Sequence, residues 1–201
     1  MRGELSLQPV FEEARGRGFL GPGPVMTHLD HASSFFAAAA PPERALDLGS
    51  GAGLPGLPLA VAWPESRWTL LEANGRKGRF LTWAVRELGL DDRVEVWVGR
   101  AEALGRETGR RGGFDLVVAR GFGRPGVTAE CGAPFLAPGG RLVVSEPPVP
   151  EPGRWPEQPL SLLGLRVVGV APSKAAVMVL EQVRACPDRF PRRAPARRPL
   201  F

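Results

Sequence analysis

Apolar residues in the middle of the chain follow two alternating rhythms. Short runs at 44–48, 67–71, 93–98, 114–118 and 141–144 have the length and content of buried strands. Between them, apolar positions recur every three or four residues, the spacing of a helix packed on one side. The spacing predicts helices over 55–63 and from Asn74 to Gly89. In the second, Phe80, Ala84 and Leu88 form one row and Leu81 and Val85 another. A short helix follows Glu102, and a further one starts at Pro125 and reaches Leu136. Pro64, Gly89 and Pro138-Gly139-Gly140 punctuate the series. Upstream, Leu5, Leu7, Val10 and Phe11 suit a short helix. Gly16, Gly18, Gly21 and Gly23 break the chain after it, and Val25, Leu29, Ala32 and Phe36 predict a helix over 24–40 that stops at Pro41-Pro42. Downstream lie a proline-rich loop, 146–159, and a closing pair of strands, 165–170 and 177–183.

This alternation predicts an α/β fold: a mostly parallel, doubly wound sheet with a closing antiparallel strand. It divides the chain into an N-terminal helical cap (1–43), the α/β domain (44–183) and a tail (184–201). In such sheets ligands lie beyond the carboxyl ends of the strands. Those ends carry Asp47 to Gly49, Glu72, Gly99 to Glu102, Ala119-Arg120 and Ser145-Glu146.

The first of these ends carries the clearest chemistry. Residues 45–56 read as a strand, an acid, a glycine-rich turn and a helix start. Gly49, Gly51 and Gly53 remove side chains that would hold a ligand off the backbone, Pro55 suits a first helical turn, and the opening N–H groups favour a negative ligand group. Two cofactors compete for this turn. Gly51-x-Gly53-x-x-Gly56, with Glu72 about 20 residues on, matches the dinucleotide fingerprint. Asp47-x-Gly49-x-Gly51-x-Gly53 matches the first motif of class I S-adenosylmethionine methyltransferases. A carboxylate at the strand mouth repels a pyrophosphate and attracts a sulfonium or an ammonium, so Asp47 argues for S-adenosyl-L-methionine. Glu72 would accept the ribose hydroxyls in either case, and Glu102 suits the adenine region.

Composition changes the picture in three places. The formal net charge is +5, and six arginines crowd the last 18 residues (Arg184, Arg189, Arg192, Arg193, Arg197, Arg198) against Asp188 alone. The basic character is therefore a property of the tail, which is read as an RNA contact binding phosphates without reading sequence. Its prolines and charge equally suit a solvated end. Only Lys77 and Lys174 are lysines, so a preference for arginine carries little meaning. Cys131 and Cys186 are too few for a disulfide framework or a zinc site, which suits a reducing cytoplasm. No apolar run approaches a membrane span and no signal-peptide core opens the chain, so no membrane partner is expected. His28 and His31 are neighbours on the predicted 24–40 helix. Without an apparent third ligand they read as a polar helix face or substrate rim, and no metal is expected.

Several segments together are more specific than the glycine turn. Leu46 to Pro58 (LDLGSGAGLPGLP), Leu70 to Leu81 (LLEANGRKGRFL), Gly99-Arg100-Ala101-Glu102 and Phe114 to Arg120 (FDLVVAR) resemble the bacterial RsmG (GidB) family. The tail, RFPRR followed by RRPL, is similar to the ending of many members. The resemblance runs from about residue 28 to the end and implies a Rossmann-like class I SAM-dependent methyltransferase acting on guanine N7 of 16S ribosomal RNA or the small ribosomal subunit. It implies that Gly49 and Leu54 contact the cofactor, that Glu72, Ala73 and Asn74 hold the ribose side, and that Ala101 and Glu102 frame the adenine. Arg120 would stand at the junction of cofactor and substrate, as the catalytic candidate. The tail arginines Arg192, Arg193, Arg197 and Arg198 would meet RNA. The sequence departs from the family where Ala119 replaces a serine or threonine, where Ser145-Glu146 replaces a Lys-Gly pair, and in a short N-terminal region. The short N-terminal region and the acid at 146 suit a methyltransferase of a small molecule or other acceptor. A non-catalytic RNA-binding module and a nicotinamide dehydrogenase stay open as further readings.

Overall fold

The computed structural model describes residues 7–149, 151–171 and 173–201; Leu5, expected in the first helix, lies outside them. A seven-stranded sheet runs through the centre. Its strands are β1 (Arg44–Leu48), β2 (Arg67–Glu72), β3 (Val94–Val98), β4 (Phe114–Ala119), β5 (Leu136–Ser145), β6 (Leu165–Ala171) and β7 (Val177–Gln182). Their order is β3-β2-β1-β4-β5-β7-β6. The first five are parallel, and β7 runs antiparallel to both β5 and β6. The order reverses between β1 and β4, so a crevice opens beyond their carboxyl ends.

The helices are α1 (Leu7–Gly16), α2 (Val25–Ser33), α3 (Gly56–Ala62), α4 (Gly75–Glu87), α5 (Ala101–Leu104), α6 (Pro125–Gly132) and α7 (Glu157–Leu162). They cover both faces. Residues of α1 to α4 pack with the Leu70 and Val118 side of the sheet, around Phe11, Leu57 and Phe80. Residues of α5 to α7 and the chain end pack with the Leu46 and Val117 side, around Phe114, Phe135 and Leu160. Alternate strand residues point to opposite faces, so each inner strand is apolar on both sides, and the continuous apolar runs follow from that.

Several boundaries differ from the sequence expectation. The short helix expected after Glu102 begins at Ala101 and contains Glu102. The helix predicted over 24–40 ends at Ser33, and residues 34–38 tighten into i→i+3 turns, with Phe35, Phe36 and Ala38 each donating three residues back. Pro55 sits just ahead of α3 rather than inside it. The helix from Pro125 ends at Gly132, and Pro134, which has no N–H to donate, lies in the short 3-10 turn after it. Strand β5 starts at Leu136 instead of 141. A register shift against β4 absorbs the extra residues, and Gly140 makes it possible, since a Cβ there would meet three backbone carbonyls at 2.9–3.1 Å. The end of the proline-rich loop turns into α7, because Pro156 and Pro159 occupy the cap and first turn, where a missing N–H costs nothing.

Candidate active site

The ends of β1 to β4, but not Ser145-Glu146 at the end of β5, converge on an open cavity of about 640 Å³, within the range of small-molecule sites. Of the residues expected to hold a cofactor, Gly49, Gly51, Leu54, Glu72, Ala73, Ala101, Glu102 and Arg120 line it. The turn is drawn onto the end of β2, because the N–H groups of Gly49 and Ser50 both donate to the Leu71 carbonyl at 2.9 Å. Gly49, Gly51 and Gly53 all adopt positive φ (73°, 59° and 91°), which explains why the pattern is glycine.

Glu72 is fixed in the wall by backbone groups. Its carboxylate accepts from the N–H of Gly51 at 2.9 Å and of Asn74 at 2.7 Å. Each oxygen keeps a second lone pair, so the carboxylate can also accept two neighbouring hydroxyls such as those of a ribose. Glu102 also faces the cavity, with Arg100 donating to it at 2.8–2.9 Å.

Three expected contacts act from beneath instead. Asp47 is fully buried and does not line the cavity. Its Oδ2 accepts from the Gly56 N–H at 3.0 Å, pinning the start of α3 under the turn, while Oδ1 has no partner. Burial pushes its carboxyl up to about 7, against the pull of the Gly56 N–H. The direct charge contact expected of Asp47 is therefore replaced by a supporting role. A Cβ at Gly53 would strike Leu57 at 2.4 Å, so that glycine serves packing. Asn74 caps α4, its side chain accepting from Arg76 and Lys77 N–H groups.

Arg120 is half-buried at the end of β4 and donates to His28 Nδ1 at 2.8 Å. Arginine has only donors, so Nδ1 must be the acceptor and the proton sits on Nε2. That nitrogen then donates to the carbonyls of Gly21 and Pro22 at 3.2 and 3.1 Å. His28 thus ties Arg120 to the loop whose Phe19, Leu20 and Gly21 form one lip of the cavity. Burial, then the charge of Arg120, lowers the pKa of His31. Among the described residues no group of three His, Cys, Asp or Glu is placed to hold a metal. Neither histidine of the expected substrate rim lines the cavity: His28 acts through Arg120, and His31 Nδ1 is buried without a hydrogen-bond partner.

Sequence reasoning missed several parts of the wall. Phe122 closes over the turn, where a Cβ on Gly49 would meet its ring at 2.6 Å. Its signal was an aromatic residue between two glycines directly after a strand end. Lys77, Pro195 and Ala196 also line the cavity; the last two carried no local signal. Cys131 is present but inert, since burial pushes its thiol up to about 12.

Two outlying groups depart from their expected roles. Glu146 is buried, and its carboxylate accepts from Arg154 and from Trp155 Nε1, each at 3.0 Å. The acid is therefore neutralised in place and organises its own loop. Arg192, expected at an RNA contact, directs its guanidinium to the fully buried Glu130, with contacts of 2.8 and 2.5 Å. Arg193, Arg197 and Arg198 remain exposed.

The order of strands, the glycine turn and the acid ending β2 define a class I methyltransferase fold. Solved structures share it at low identity. A protein from Corynebacterium glutamicum superposes with a TM-score of 0.60 at 19% identity, over 92% of either chain. A 16S rRNA methyltransferase from T. thermophilus, in complex with AdoMet and guanosine, gives 0.56 at 24% identity over 84% of this chain and 43% of its own. The model of the family "rRNA small subunit methyltransferase G" (GidB) matches residues 26–146, and the chain belongs to that family. Curated relatives named ribosomal RNA small subunit methyltransferase G include those of Rubrobacter xylanophilus, 38% identical over 78% of this chain, and Deinococcus radiodurans, 39% identical over 79%. The chain spans 65% and 66% of the length of these two relatives.

Proposed function

We propose that the protein is a cytoplasmic S-adenosylmethionine-dependent methyltransferase that modifies guanine N7 in 16S ribosomal RNA. The observation that carries this reading is Glu72. It is a carboxylate set by two backbone N–H groups in the wall of a cavity floored by the glycine turn, and its free lone pairs suit a ribose diol. When bound, the cofactor supplies an electrophilic methyl group. Gly49, Gly51 and Leu54 let the backbone approach it, Ala73 extends the ribose side, and Ala101 and Glu102 border the adenine.

Guanine N7 carries a lone pair and no proton, so its methylation requires no general base. What remains for the protein is alignment. Arg120, oriented by His28, presents further N–H donors toward the cavity and suits the O6 edge of a guanine. Cys131, held as a thiol, supplies no nucleophile. Arg193, Arg197 and Arg198 suit phosphate contacts that weaken steeply with salt. The reading of a small-molecule acceptor drew on the short N-terminal region and on the acid at 146. The second support weakens, because Glu146 is paired with Arg154.

The test is transfer of labelled methyl from S-adenosylmethionine to 30S subunits and to bulk RNA, followed by nucleoside analysis. The expected product is 7-methylguanosine in the RNA of wild type, with none from Glu72→Ala. Label confined to small molecules would overturn the RNA reading.

A further inference from the structure

The C-terminal segment has the composition of a loose basic arm, yet it is fastened to the body along its length. Arg111 donates to the carbonyls of Phe190 at 2.7 Å, Cys186 at 2.8 Å and Pro187 at 3.3 Å, and also to Gly105 at 2.7 Å. Arg106 reaches the carbonyl of Pro191. Gly126, in α6, has no room for a Cβ, which would lie 2.7 Å from the Phe201 carbonyl oxygen. The Phe201 ring then packs edge-on against Trp155.

Residues 192–198 form the part of this segment that reaches the cavity. The N–H and Nε of Arg192 both donate to Glu130 Oε1, at 2.7 and 2.8 Å. One terminal nitrogen of the same guanidinium donates to Glu130 Oε2 at 2.5 Å and to the Arg198 carbonyl at 2.6 Å. A single arginine therefore pins both ends of a seven-residue loop onto a carboxylate buried in α6. Between the pins, the turn Pro195–Arg197 places Pro195 and Ala196 in the cavity wall, beside Val127 and Cys131 of α6 and in the same cavity as Ala101 and Glu102.

The geometry points to a second role for this segment: residues 192–198 are a wall of the cofactor site, covering the adenine side, and Arg192 is the positioning residue that holds Pro195 and Ala196 in it. The assignment rests on the reading of the cofactor as S-adenosylmethionine. Proline and alanine lose almost no side-chain entropy when covered. They offer a rigid apolar surface to a flat purine, and nothing else in the loop needs to order when the ligand enters. The pair of a half-exposed Arg192 and a buried Glu130 contributes geometry more than net stability, since the desolvation of Glu130 offsets much of the attraction. Its bidentate form fixes the loop in one place, which a point charge would not do.

Calorimetric titration of the full chain with S-adenosylhomocysteine tests this. Arg192→Ala, confirmed as folded by its circular dichroism and melting curve, is expected to lose at least tenfold in affinity, and Arg192→Lys to fall between it and wild type. Ala196→Trp leaves the clamp intact and fills the cavity. It is expected to abolish binding at an unchanged melting temperature, and it decides the matter if Arg192→Ala does not fold. Arg189→Ala, which removes an exposed tail charge outside the loop, is expected to bind as wild type does. Wild-type affinity in a folded Arg192→Ala or in Ala196→Trp would overturn the assignment. So would an equal loss in Arg189→Ala, which would make charge and not position the cause. Absence of binding in wild type would overturn the cofactor reading itself, and this assignment with it.

Discussion

Two walls of the same cavity are built on opposite principles. The glycine turn between β1 and α3 is held by backbone: paired N–H groups on the Leu71 carbonyl, a buried Asp47 on the Gly56 N–H, and glycines where no side chain fits. The C-terminal wall is held by side chains: Arg111 on the carbonyls of Cys186, Pro187 and Phe190, and Arg192 on Glu130. The first joins residues of adjacent elements, 9 to 22 positions apart. The second joins residues 62 to 79 positions apart. A turn of the first kind tolerates no substitution at its contact points. The outer part of the second wall is expected to detach without unfolding the sheet, because Leu200 and Phe201 are only partly buried against one core, while Phe190 lies within it.

This contrast can be broken at either wall. The largest effect is expected for Gly56→Ala. The added Cβ would meet Asp47 Oδ2 at 2.6 Å and Leu70 at 2.7 Å, both in fully buried residues that cannot yield. Overpacking of this kind costs about 3 kcal/mol, read as a lowered urea midpoint with loss of cofactor binding. Arg111→Ala is expected to cost about 2 kcal/mol, the scale of a lost charged hydrogen-bonding group. Its signature should be local. Hydrogen exchange should rise across 186–192, while amides of β1 and β4 keep their protection. Uniform exchange throughout the sheet would show that the two walls are not separable.

A smaller and graded effect belongs to Asp47. Its carboxyl is raised from 3.8 to about 7 in the folded protein. Between those values the folded state keeps a proton that the unfolded state has lost. Stability therefore falls as pH rises through this window, by up to ~1.4 kcal/mol per pH unit. Wild type without ligand should show this slope in denaturant titrations from pH 4 to 7, and Asp47→Asn should lack that contribution. An unchanged slope in the variant would place its origin at another group.

The expectation for Asp47 also marks how far the sequence reads. Its position beside the glycines was legible, and so were Glu72, Arg120 and the strand ends, because strand-turn-helix geometry brings a local pattern to one place. Whether Asp47 faces the ligand or the helix behind it was not legible. Both placements satisfy the same spacing, and only the 3.0 Å bond to Gly56 separates them. Glu146 is a similar case. As a residue type it suggested a repulsive charge, and the fold supplies Arg154 and Trp155 to absorb it.

By itself the sequence determined the α/β alternation, the glycine turn, the acid that ends β2 and the family. Each of these is set by neighbours within a few residues, where period, propensity and turn chemistry act. The tertiary structure alone decided the fate of the tail. A run of arginines and prolines has no periodicity to read, and its partners are single residues far away along the chain: Glu130 in α6, Gly126 beneath Phe201, and Arg111 in a loop. Burying Glu130 without a cation would cost several kcal/mol. The pairing that resolves this cost, and not the tail's composition, turns a basic end into a wall of the site.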